Sequence, residues 1–72
     1  MNKLDLHTHR HATVPNLVED WVLMNQTDIP LTIICGNSNK MIDLVVAVLD
    51  KLDIEHRMWQ YGVIVIDRIW TQ

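Results

Sequence analysis

Leu31-Thr32-Ile33-Ile34-Cys35, running straight into Gly36-Asn37-Ser38-Asn39, decides how this chain folds. An unbroken β-branched and apolar run reads as a strand buried on both faces, as in a parallel sheet. Turn chemistry follows at once. From about Asn39 to Asp53 there is no Gly or Pro, and Met41, Leu44, Val45, Val48, Leu49 and Leu52 recur at helical spacing. Ser38 or Asn39 can cap this helix.

Working outward, residues 3–7 read as a first strand and residues 13–25 as a first helix. Thr13 is the expected N-cap, with Pro15 in the first turn, where its missing N–H costs little. Val14, Leu17, Val18, Trp21 and Val22 define its core face. Asn25 to Pro30 end it. Toward the C-terminus, residues 54–59 and 62–67 read as strands joined by a tight turn at Gln60-Tyr61-Gly62. The order is β-α-β-α-β-β. The first two crossovers contain helices, so those strands should pair in parallel, right-handed units, and the last pair should be antiparallel. The expected fold class is α/β, an α+β two-layer sandwich with a mixed four-stranded sheet and two helices.

Length and composition narrow the functions. With 72 residues the chain has room for one small domain. An apolar share of 49% is enough for a single core. Dimerisation would add burial, so a monomer or weak homodimer is expected, with Trp70 a candidate exposed apolar group. The net charge of −3 argues against a protein that coats DNA, so any nucleic-acid contact is local. Lys3, Arg10 and the N-terminal histidines offer such a local basic patch. The single cysteine excludes an internal disulfide and fits a reducing, cytoplasmic setting. No apolar run reaches the roughly 18 residues of a membrane span, and no signal region is seen. Starting at Met1 and carrying no tag, the chain reads as a complete small protein.

The chemistry concentrates in Leu4-Asp5-Leu6-His7-Thr8-His9-Arg10-His11. Leu4 and Leu6 alternate with Asp5 and His7 at strand period. If the strand ran on, His9 and His11 would join them on one face. Such a set could hold Zn²⁺ through Asp5, His7, His9 and His11, or shuttle protons. In open α/β sheets, ligands sit beyond the carboxyl ends of parallel strands. Two loops meet that condition: one carries His7, His9, Arg10 and His11, the other Gly36, Asn37, Ser38, Asn39 and Lys40. The second opens a helix, whose N-terminus suits phosphate. Cys35 reads as an apolar filler. Trp59 and Tyr61 can stack on bases but read better as cross-strand packing.

The two loops together resemble the Smr (small MutS-related) domain family. Leu4-Asp5-Leu6-His7 is similar to its LDLHG motif, and Ile33-Ile34-Cys35-Gly36-Asn37-Ser38 to its second, glycine-bearing motif. Gly62-Val63-Ile64-Val65-Ile66 is similar to its closing strand. The resemblance covers nearly the whole chain. It implies a fold similar to the C-terminal domain of bacterial translation initiation factor three. It also implies endonuclease or nicking activity on RNA or DNA, with the ribosome as a further partner. By position, Asp5 and His7 take the catalytic places and Gly36 the first loop glycine. Gly36, Asn37, Ser38, Lys40, His9, Arg10 and Arg57 then form the expected phosphate and nucleic-acid contacts. No cofactor is required, although a divalent metal (Mg, Mn or Zn) is compatible.

Three positions depart from the pattern: Thr8 replaces a glycine, Cys35 a His or Thr, and Asn39 a second glycine. They support the alternative of a non-catalytic module that binds nucleic acid or a ribosome. Asp5-Leu6-His7-Thr8-His9 is also similar to the DLHTH metal motif of the PHP phosphoesterases. That barrel is several times longer and draws ligands from later strands, whereas only His56 remains downstream here.

Overall fold

Burial alternates along Leu31–Ile34. Leu31, Ile33 and the following Cys35 are buried, while Thr32 and Ile34 are half-buried. The run is therefore one-sided, and the expectation of burial on both faces fails. The reason is that both helices lie on the same side of the sheet and nothing among the described residues covers the other. The computed structural model describes residues 2–69. Its elements are β1 (Lys3–Asp5), a 3-10 turn (His11–Thr13), α1 (Val14–Met24), a second 3-10 turn (Gln26–Asp28), β2 (Leu31–Ile34), α2 (Asn39–Lys51), β3 (Arg57–Gln60) and β4 (Val63–Ile66). The expected β-α-β-α-β-β order is present, in a small α+β domain with a mixed sheet.

The strands lie in the order β1-β2-β4-β3. β1 runs parallel to β2, as the first crossover predicts, but the second crossover gives no parallel pair: β4 lies between β2 and β3, antiparallel to both. Parallel pairing sends the chain out of β1 and β2 at the same sheet edge, and the turn between β3 and β4 sits there too. Val14, Val18 and Val22 of α1 and Met41, Ile42, Val45, Val48 and Leu49 of α2 meet Leu6, Leu31, Ile33, Ile64 and Ile66 in one core. Leu17, Trp21, Leu44 and Leu52 flank it half-buried. Ile42 is a core residue that the helical stripe alone had not singled out.

Several boundaries shift for local physical reasons. β1 ends at Asp5 rather than residue 7, because the Asp5 carboxylate accepts the His7 N–H (3.1 Å) and turns the chain. The His9 N–H then bonds the Leu6 carbonyl (3.0 Å). Thr13 does not cap α1. Its backbone is already helical, and its hydroxyl donates to the Arg10 carbonyl (2.9 Å) instead. The 3-10 turn thus takes over the role of the cap. Pro15 does lie in the first turn of α1. β3 begins at Arg57, not residue 54, because Ile54 is drawn into the core ahead of the strand. Trp70 lies outside the described residues.

At the start of α2, Ser38 is the N-cap and Asn39 the first helical residue. The Ser38 hydroxyl accepts the Met41 N–H (3.1 Å). Ser38→Ala should lower the stability by about 1 kcal/mol, read as a lower urea midpoint at unchanged slope. Asn37→Ala, at an exposed neighbouring position, should leave the midpoint where it is.

Candidate active site

Asp5 and His7 are adjacent by chain and joined by side chain. The His7 Nδ1 lies 2.7 Å from the Asp5 Oδ1. Both side chains are well exposed, so the ring is accessible to a ligand. The hydrogen bond from the His7 ring holds the Asp5 carboxyl below its ordinary pKa, helped by the His7 backbone N–H. An ionised carboxylate can only accept, so Nδ1 carries the proton, and in the neutral ring Nε2 presents the lone pair. That is the arrangement of a positioned general base.

The sign of the pH dependence follows. A depressed carboxyl keeps its favourable pairing at pH values above its unfolded pKa and loses it as the pH falls through the folded one. Asp5 lies at the surface, so this is a statement about its charge and not about fold stability. His7→Ala should raise the Asp5 midpoint toward its ordinary value. Carboxyl ¹³C NMR across an acid titration reads this directly, and an unmoved midpoint would contradict the hydrogen bond.

The second loop is built around close glycines. Gly36 has φ +73° and a side chain there would touch the Cβ of His7 at 3.8 Å. Gly62 has φ +83°, and its would-be Cβ falls 2.1 Å from the Gly36 carbonyl oxygen. The Cys35 N–H donates to the Gly62 carbonyl at 2.7 Å. The Tyr61 hydroxyl donates to the Asn39 side-chain oxygen at the start of α2. The β3–β4 turn therefore clamps the β2–α2 loop and sets Gly36 against His7. No family model, curated protein or solved structure matches this chain.

The structure sorts the residues expected from sequence. Asp5, His7 and Gly36 come together. Asn37 and Lys40 stand exposed on the same loop and the first turn of α2. Ser38 is engaged as the cap. His9 and Arg10 follow in the turn after His7 and are exposed, and His11 begins the 3-10 turn. Among the described residues no three His, Cys, Asp or Glu side chains gather round one point. The four-ligand set of Asp5, His7, His9 and His11 is therefore not assembled, because the turn at His7 ends strand alternation. Arg57 is not beside the Gly36 loop. It lies on the far edge strand, paired with Asp67 (2.7 Å).

Tyr61 takes a role that sequence reading did not give it, whereas Cys35 is the buried filler expected. Tyr61 is a clamp on Asn39, a long-range contact with no local signal. Trp59 is 64% exposed. Cys35 is buried, and burial pushes its thiol up to about 11, which leaves it protonated at neutral pH. No helix among the described residues is long and apolar enough to cross a membrane.

Proposed function

We propose that this chain is a Smr-like module that cleaves phosphodiester bonds in nucleic acid. One observation carries the reading: an exposed, carboxylate-held imidazole stands beside a glycine loop that opens a helix. The β-α-β-α-β-β order, shared with the Smr fold and the C-terminal domain of translation initiation factor three, supports it. His7 Nε2 takes a proton from the attacking hydroxyl, either water or a ribose 2′-OH, as the new P–O bond forms. The resulting imidazolium is stabilised by Asp5 and returns the proton to the departing oxygen as the old P–O bond breaks. Asp5 is the positioning residue. The exposed Asn37 and Lys40 and the first turn of α2 receive the phosphate charge.

A labelled single-stranded RNA and a supercoiled plasmid, incubated with the protein, test this. The intact protein should give cut RNA or nicked plasmid, and His7→Ala and Asp5→Ala should lose the product. Equal cleavage by all three proteins, or none by the intact one, overturns the reading.

A further inference from the structure

The sheet face opposite the helices carries an open groove of about 380 Å³, lined by the apolar Ile34, Val63 and Val65, the indole of Trp59, the polar Thr32 and Gln60, and the cations Lys3 and Arg57. Strand register shows how it is built. Lys3 stands opposite Thr32, Thr32 opposite Val65, and Val65 opposite Arg57. This row has Thr32 and Val65 in the middle and a cation at each end. Three strand spacings separate the two cations, about 14 Å between Cα atoms. The next row runs from Asp5 through Ile34 and Val63 to Gln60. Its end is therefore the Asp5–His7 pair.

Trp59 is where the register slips. Met58 pairs with Ile64 and Gln60 with Val63, leaving Trp59 as the extra residue. Such a bulge re-aims a side chain, and here a large aromatic is left 64% exposed beside the groove. We propose that this open face cradles single-stranded RNA, with an unpaired base stacked on Trp59, phosphates on Lys3 and Arg57, and the strand led to Asp5 and His7. The proposal rests on the phosphodiesterase reading and names its substrate.

Chemistry chooses the occupant. Apolar residues and an indole ring need the flat faces of bases, which a duplex keeps stacked inside. A duplex offers phosphates, and two groove cations on a chain of net charge −3 grip them weakly. Stacking a free base on an aromatic ring is favourable whatever the sequence. The Arg57–Asp67 pair is exposed on both sides, and such pairs contribute little, so Arg57 can exchange its carboxylate for a phosphate. The volume suits about one base at a time, at the lower end of small-ligand sites. RNA also brings its own nucleophile. Its 2′-OH gives a single imidazole base an attacking oxygen already placed next to the scissile phosphorus, and the strand leaves a cyclic phosphate and a free 5′-hydroxyl.

Binding and cleavage are read separately. A fluorescein-labelled 12-nucleotide RNA is titrated into His7→Ala protein by anisotropy, which removes cleavage from the measurement. Trp59→Ala in that background should weaken binding roughly tenfold or more. Lys3→Gln with Arg57→Gln should weaken it and flatten its salt dependence. The matching RNA duplex should bind more weakly and ignore Trp59→Ala. Circular-dichroism melting confirms that each variant is folded. Unchanged RNA affinity in folded Trp59→Ala overturns the cradle, as does equal grip on the duplex. A dimer in sedimentation that Trp59→Ala dissociates also overturns it, assigning the face to a second copy. In the wild-type background, a strand with one 2′-deoxyribose at the cut position should be left whole there. Cleavage at that position overturns the 2′-OH as the attacking group. Trp59-dependent binding with no cleavage of any strand supports the cradle and overturns the phosphodiesterase reading instead.

Discussion

His7→Ala should slow strand cleavage by about 10²–10⁴-fold, the usual worth of a positioned general base. The ring is held by a short bond to an ionised carboxylate, so the intact protein has already met the cost of orienting it. Asp5→Ala should lose less, because an unheld imidazole still carries a lone pair. If both variants lose equally, Asp5 itself touches the substrate and its role as a positioning residue is wrong. Single-turnover rates at saturating RNA separate these outcomes. Both side chains are exposed, and surface changes of this kind stay within about 0.5 kcal/mol of the parent stability. Melting temperatures should therefore hold for His7→Ala. Asp5→Ala also removes the bond to the His7 N–H, so a small drop is expected there.

Gly62→Ala should be the most disruptive single-methyl change in the chain. Its new Cβ would lie 2.1 Å from the Gly36 carbonyl oxygen and 3.0 Å from the Gly36 carbonyl carbon. Those are backbone atoms, so no rotamer change relieves the clash. Left-handed φ adds roughly 1–2 kcal/mol for a residue with a Cβ, and overpacking adds about 1–3 kcal/mol more. A loss of about 3 kcal/mol is expected. In a domain of this size that lowers the melting temperature by roughly 15 °C. Gly36→Ala is the internal comparison. Its Cβ meets only the His7 Cβ at an ordinary 3.8 Å, so it should lose about 1–2 kcal/mol from φ alone. Equal losses at both glycines would mean that the two turns are not in contact. Gly62→Ala should also reduce cleavage in whatever fraction stays folded, since the clamp that sets Gly36 beside His7 is displaced.

The element order could be read from apolar spacing because each element writes its own period. α2 is the clearest case: Met41, Val45, Val48 and Leu49 face the core as their spacing predicts. The two-sided burial expected of β2 failed because a buried run says nothing about how many layers cover it. Thr32 was the available hint, a polar residue on the face that stays half-exposed. The early end of β1 came from an Asp side chain bonding the backbone two residues on. That turn chemistry is carried by Asp5 itself, yet no Gly or Pro marks it. Asp5, His7 and Gly36 were legible as a group, since parallel strands must release their loops at one edge. Tyr61 on Asn39 and Gly62 on Gly36 were not. Both join segments far apart in sequence, and nothing local encodes such a meeting. The slip in β3 was likewise not legible: Gln60, not Trp59, stands opposite Val63, and no Gly or Pro marks the extra residue.

The same Asp5 oxygen receives both the backbone N–H and the ring nitrogen of His7. Closing so short a loop costs little chain entropy. The glycine contact, in contrast, exists only while distant turns are held together. A partly opened molecule would thus keep its base intact and lose the surroundings that aim a substrate at it. Orientation would vanish before the base itself does.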